Sequence, residues 1–337
     1  DVDVGGLAIL GLFDGLRALG RVQKAVVELA DDVEKQKPDS VVLIDSWGLM
    51  WRLARELKQR GFPGRIIKLV GPQVWATRPG RAKTLAKWCD HLLCLHDFEQ
   101  PFYADTSLPT TVIGNPAIGR QSLGDRERYR AAHGIKEATT VVGLLLGSRT
   151  SELKRVGPAL IGAARIVCAR HPSATVLCLP APSVRHQVEE AASRWDFNHL
   201  VSQPDDDPAD VMAAMDLALS CSGTVTTELA EQGVPVITGY KLGWLSWALA
   251  RMFLLRTMYI SLINVAANRE VIPEFVQTRL TPSNLASAAH HLLTDANARN
   301  IQRARQFDAI AKLCGAGDET TATRAATAIL RDLRQAS

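Results

Sequence analysis

The sequence has no paired-cysteine motif, no apolar run of membrane-spanning length and little net charge. Its six cysteines stand at positions 89, 94, 168, 178, 221 and 314, without a C-x-x-C and without zinc-like spacing. That argues for reduced thiols of a cytosolic protein and against a disulfide framework or structural zinc. No stretch of about 18 or more residues is continuously apolar, and no signal-peptide pattern opens the chain, so an integral membrane protein is not expected. Lys plus Arg number 39 against 35 Asp plus Glu, a formal net charge of +4. This is too small to imply a nucleic-acid partner, although a local basic patch facing an anionic membrane stays open. The Walker A, G-x-G-x-x-G, G-x-S-x-G and H-E-x-x-H patterns are all missing. With them go the common nucleotide-hydrolase, dehydrogenase, esterase and zinc-protease readings.

What is present is a folded chain of 337 residues, 47% hydrophobic and 22% charged, longer than one ordinary core serves. Short β-branched runs alternate with helical stretches, the pattern of parallel βαβ units. Strands are expected at Ser40–Asp45, Arg65–Val70, His91–Leu95 and Thr110–Ile113, then at Thr140–Leu146, Ala174–Leu179, Leu200–Gln203, Leu217–Ser220 and Val234–Thr238. The fold class is α/β, with a first domain over 1–118, a polar connection over 119–137, a second domain over 138–316 and a last helix over 317–337 that returns to the first domain.

In open α/β sheets ligands bind beyond the carboxyl ends of the strands, so polar residues placed there carry the search for a site. Gly147-Ser148-Arg149 ends one strand and opens a helix; it suits a phosphate, or is a helix cap with a solvated arginine. Ser222-Gly223-Thr224 likewise precedes a helix whose amides suit a diphosphate, with Glu228 one turn on for ribose hydroxyls; the ordinary reading is a Ser/Thr cap. Asp45 directly follows Val41-Val42-Leu43-Ile44, as a general base toward an alcohol or as the cap of the next helix. Asp205-Asp206-Asp207 matches a metal-binding D-x-D, but Asp207-Pro208 before a helix reads better as a cap. His290-His291 reads as structural, and His96 as a weak site residue. Trp244, Trp247, Phe253 and Leu254, punctuated by Arg251 and Arg256, suit an interfacial helix or core packing, and Gly5–Leu12 is a second apolar stretch of the same kind.

In order along the chain, these segments resemble lipid-A-disaccharide synthase, a family of inverting GT-B glycosyltransferases. The resemblance is carried by Leu7–Gly11, Ile44-Asp45-Ser46, Gly71–Ala76 with Arg78, Phe98-Glu99 with Phe102-Tyr103, and Gly114-Asn115-Pro116. It continues through Gly147-Ser148-Arg149, Ser222-Gly223-Thr224 with Glu228, Tyr259–Leu262 with Asn264, and Arg269–Glu274 with Gln277. It implies a GT-B-like pair of Rossmann-like domains with a cleft between them and C-terminal helices packing back. It also implies transfer of diacylglucosamine from UDP-diacylglucosamine to lipid X with inversion, without cofactor or metal, on the cytoplasmic face of the inner membrane. By the same resemblance Asp45 and Arg149 are essential, Glu228, Asn264, Glu274 and Gln277 belong to the donor pocket, and Ser148, Trp75, Arg78 and Arg269 touch substrate. The sequence departs from the family at Leu146, Thr77 and Asn115, where proline, tryptophan and histidine are usual. The chain opens with Asp1, without the family's Gly-rich first loop, so about two βα units, roughly 60 residues, are expected upstream. Self-association is left open. The alternatives are another UDP-N-acetylglucosamine-dependent GT-B enzyme and a non-catalytic, membrane-associated paralogue.

Overall fold

The computed structural model describes residues 12–119, 123–243, 258–315 and 319–336. Trp244, Trp247, Phe253 and Leu254, named above for membrane contact, lie outside the described residues, as does nearly all of the Gly5–Leu12 stretch. Among the described residues no helix is long and apolar enough to cross a membrane. The chain divides into two compact units, one built on residues up to Pro116 together with those from Gly315, the other on the residues between.

The first unit holds a four-stranded parallel sheet, β1 (Ser40–Ile44), β2 (Arg65–Leu69), β3 (His91–Cys94) and β4 (Thr110–Val112), in that spatial order. A parallel strand covered on both faces reads as a continuous apolar run, and alternate residues serve opposite faces. Ile66 and Leu92 pack with Leu53 and Leu57 of α2 (Trp47–Gln59) and Leu85 of α3 (Arg81–Trp88). Their neighbours Ile67 and Leu93, with Ile113, pack instead on Ala325 and Ala328 of the last helix, Thr321–Ala336. Each such aliphatic side chain contributes roughly 1.5–3 kcal/mol on burial. That helix is also fixed by charge: Arg65 grips Asp332 with both Nε (2.9 Å) and Nη2 (2.7 Å). The long helix α1 (Leu12–Gln36) lies against α2 through Val26, Ala25 and Leu49.

The second unit is built on six parallel strands: β5 (Val141–Leu145), β6 (Thr175–Cys178), β7 (His199–Val201), β8 (Leu217–Cys221), β9 (Val236–Tyr240) and β10 (Glu274–Val276). Their spatial order is β10-β9-β8-β5-β6-β7, so the chain reverses direction across the sheet at the β5/β8 pair. Residues 119–137, expected to connect two domains, contain α4 (Arg126–Ala132), which is anchored on this unit. Buried Arg130 donates to the carbonyls of Ala214, Glu137 and Thr139 and to Asp216, while Arg126 reaches Asp216 as well. Asp207 accepts from the Ala209 amide at 2.9 Å and caps α5 (Pro208–Ala213). Asp206 is engaged by Tyr129 and by the Gln203 amide.

Candidate functional site

The first unit presents Asp45 at the carboxyl end of β1, an edge strand of its sheet among the described residues. Asp45 and Ser46 both take left-handed backbone angles, with φ of 46° and 34°, and Val70 at the end of β2 has φ of 67°. Non-glycine residues held there cost on the order of 1–3 kcal/mol each and persist only where the surroundings enforce them. Here the Asp45 amide donates to the Leu69 carbonyl at 3.0 Å and the Val70 amide to that of Leu93 at 3.1 Å. The strained ends of β1 and β2 open onto a cleft of about 240 Å³ lined by Asp45, Trp47, Lys68, Gln73, Thr77 and Arg81 together with Val70-Gly71-Pro72. The Arg81 guanidinium sits 5.0 Å from the Trp47 ring centroid, a cation–π contact, and burial holds it below the usual arginine range. Trp75 is edge-on to Phe98, which stacks on buried His96. Arg78 is exposed, with φ of 49°. Neither Trp75 nor Arg78 lines the Asp45 cleft.

In the second unit the Gly147–Arg149 turn follows β5 and the Ser222–Thr224 turn follows β8, so both lie where the strand order reverses, the usual ligand position in such sheets. Glu152 organises the first turn: one carboxylate oxygen accepts the amides of Ser148 (2.9 Å) and Arg149 (3.3 Å), and the other accepts the Arg149 guanidinium at 2.8 Å. Ser148 and Arg149 are exposed, which leaves the cation tethered yet open to a ligand. Gly147 has φ of 97°, and a Cβ there would lie 2.7 Å from Oε2 and 2.8 Å from Cβ of Glu152. Gly147→Ala is therefore expected to displace the Glu152 clamp and lower stability by about 1–3 kcal/mol, read by chemical denaturation.

At the second turn the hydroxyls of Thr226 and Thr227 are committed to the carbonyls of Gly223 and Thr224, at 2.7 and 2.6 Å. Gly223 and Thr224 are exposed ahead of the short helix α6 (Val225–Glu231), with Glu228 half-buried in its first turn. These groups suit an anionic ligand with a vicinal diol nearby.

The other residues expected in a donor pocket are engaged within the protein. Asn264 is fully buried: its amide donates to the Ile272 carbonyl and to Glu274, and its oxygen accepts the amides of Val271 and Ile272. Glu274, at the start of β10, also accepts the amides of Ile260 and Ser261. Gln277 exchanges bonds with the Leu242 backbone. These three side chains shape the 259–277 segment. Arg269 donates its amide to the Asn264 carbonyl at 3.3 Å, and it is exposed in a cleft shared with Arg305, Asp308 and Lys312. Lys68, Trp47, Arg81 and Glu152 escape sequence reasoning; the one signal among them is a lysine amid the apolar residues Ile66, Ile67 and Leu69.

The chain matches the family described as lipid-A-disaccharide synthetase over residues 2–329. It is 37% identical over 328 residues to lipid-A-disaccharide synthase of Rhodospirillum centenum, covering 96% of this chain and 80% of the relative. To the enzyme of Paramagnetospirillum magneticum it is 35% identical over 331 residues, 98% and 84% of the two chains. Among solved structures, the UDP-GlcNAc 2-epimerase from Neisseria meningitidis bound to UDP-GlcNAc superimposes with a TM-score of 0.53 at 13% identity, over 93% of this chain and 82% of that one. S. aureus MnaA in complex with UDP gives 0.56 at 14%, over 97% and 83%. At such low identity these neighbours speak for the fold alone, and that fold is GT-B. The match in sequence covers nearly the whole chain and says more: the protein belongs to the lipid-A-disaccharide synthase family, glycosyltransferases of lipid A biosynthesis.

Proposed function

We propose that this enzyme transfers diacylglucosamine from UDP-diacylglucosamine to a hydroxyl of lipid X, with inversion, releasing UDP. The observation that carries the reading is the exposed Asp45 carboxylate, held by a strained turn at the mouth of a polar cleft. In this mechanism the acceptor oxygen attacks the anomeric carbon from the face opposite UDP. The bond from that carbon to the diphosphate oxygen breaks, its electron pair leaves with UDP, and the acceptor proton passes to Asp45. Arg149 and the amides of Ser222–Thr224 meet the charge that develops on the departing diphosphate, and Glu228 accepts from the ribose hydroxyls. A UDP-linked donor is supported by the solved neighbours, which are bound to UDP and to UDP-GlcNAc.

Both substrates carry acyl chains and reside in a bilayer, which supports peripheral association with the cytoplasmic face of the inner membrane. One experiment tests the whole reading. The protein is mixed with vesicles carrying both glycolipids, and UDP release, disaccharide formation and flotation of the protein with the vesicles are followed together. The expected result is stoichiometric UDP and disaccharide from vesicle-bound protein. UDP release without disaccharide, or no reaction, counts against it.

A further inference from the structure

Parallel strands buried on both faces are apolar as a rule, and β2 places a charge at a fully buried position. Lys68 is 1% exposed, on the same face of the strand as Ile66. Its three N–H bonds all go to main-chain carbonyls: Asp45 at 2.7 Å, Leu69 at 2.9 Å and Leu43 at 3.1 Å. An ammonium without a carboxylate in contact is a costly thing to bury, so three directed acceptors are what make it tolerable there. Those acceptors are not scattered. Leu43 and Asp45 flank the last residue of β1, and Leu69 is the residue that also receives the Asp45 amide. A single cation thus ties together both sides of the turn in which Asp45 and Ser46 hold their left-handed angles.

We propose that Lys68 is a positioning residue for Asp45: by holding that residue's carbonyl inward, its ammonium keeps the turn that presents the carboxylate to the cleft. The role rests on the reading of Asp45 as the base. Two titratable groups face the ammonium, the Asp45 carboxylate and, from the end of α3, the Cys89 thiol; Arg81 of that helix lines the same cleft. Burial lowers Lys68 to about 8 against the opposing pull of Asp45, and the same burial pushes the Cys89 thiol up to about 12, leaving it neutral over the range that matters. Above its own value Lys68 becomes an amine with two N–H donors for three carbonyls, and the clamp loses a partner.

The test combines pH profiles with amide exchange on the full chain. In the parent protein kcat is expected to decline through about pH 8 while the donor KM stays flat. Lys68→Arg, which keeps its charge, is expected to move that decline upward. Lys68→Met is expected to lower kcat at neutral pH by about 10–100-fold, the scale of a misplaced catalytic group, with KM within about twofold. Exchange of the Asp45 amide in Lys68→Met is expected to be at least about tenfold faster, because opening of the turn becomes easier. A parental profile that is level to about pH 10, where an ordinary lysine titrates, overturns the proposal. So does a decline in Lys68→Arg that coincides with the parent's, or a parental exchange rate in Lys68→Met. Should Lys68→Met not fold, the parental and Lys68→Arg profiles decide. Exchange needs no turnover: fast exchange in Lys68→Met beside full activity in Asp45→Asn supports the clamp and removes the base assignment.

Discussion

Asp45→Asn is expected to lower kcat by about 10²–10⁴-fold, the usual contribution of a general base, while UDP affinity and melting temperature stay at parental values. Asparagine nearly matches aspartate in size and, like it, tolerates the left-handed region, so the turn at φ of 46° survives the change. The Lys68 ammonium binds the main-chain carbonyl of residue 45 and not its side chain, so that anchor survives too. What is lost is the ability to take a proton from the acceptor hydroxyl. Single-turnover assays with UDP-diacylglucosamine and lipid X, beside UDP binding by calorimetry, separate chemistry from binding. Turnover within about tenfold of the parent assigns the base elsewhere, and a fall in UDP affinity of the same size as the fall in kcat reassigns Asp45 to binding.

Asn264→Leu is expected to destabilise the second unit by about 3–6 kcal/mol, a large part of the ~5–15 kcal/mol that keeps a domain folded. Leucine keeps the same branched skeleton but leaves the amides of Val271 and Ile272, the carbonyl of Ile272 and the buried Glu274 carboxylate each short of a partner. An unsatisfied buried polar group costs about 1–3 kcal/mol, and the effects within one network do not simply add. UDP binding is expected to fall together with stability, because the residue shapes the 259–277 segment from within. Denaturant titration beside UDP calorimetry distinguishes this from direct ligand contact. Parental stability with lost UDP affinity moves Asn264 to the ligand.

These two residues also mark how far the sequence is legible. Asp45 is readable by place, since a carboxylate directly after an apolar run faces the ligand side of a parallel sheet. Its left-handed angle is not, because Asp45, Ser46 and Val70 carry no glycine to announce it. Most strands are readable for the reason that β5 is: burial on both faces makes it a continuous apolar run. β10 is not, since its three residues after Pro273 are too few for any period. Helix α1 carries helical spacing in Val22, Val26, Leu29 and Val33. The roles of Asn264, Glu274 and Gln277 depend on main-chain groups up to 35 residues away in sequence, and residue type alone says nothing of those. Lys68 is a borderline case: a charge in an apolar strand is visible, but its three carbonyl partners come from two strands and are not.

The tie between Arg65 and Asp332 spans 267 residues. On a ribosome adding about 5–20 residues per second, strand β2 emerges tens of seconds before the helix that covers it. Throughout that interval Ile67, Leu93 and Ile113 have no covering partner, so nascent chains stalled short of the final helix present a bare apolar surface to chaperones and to one another.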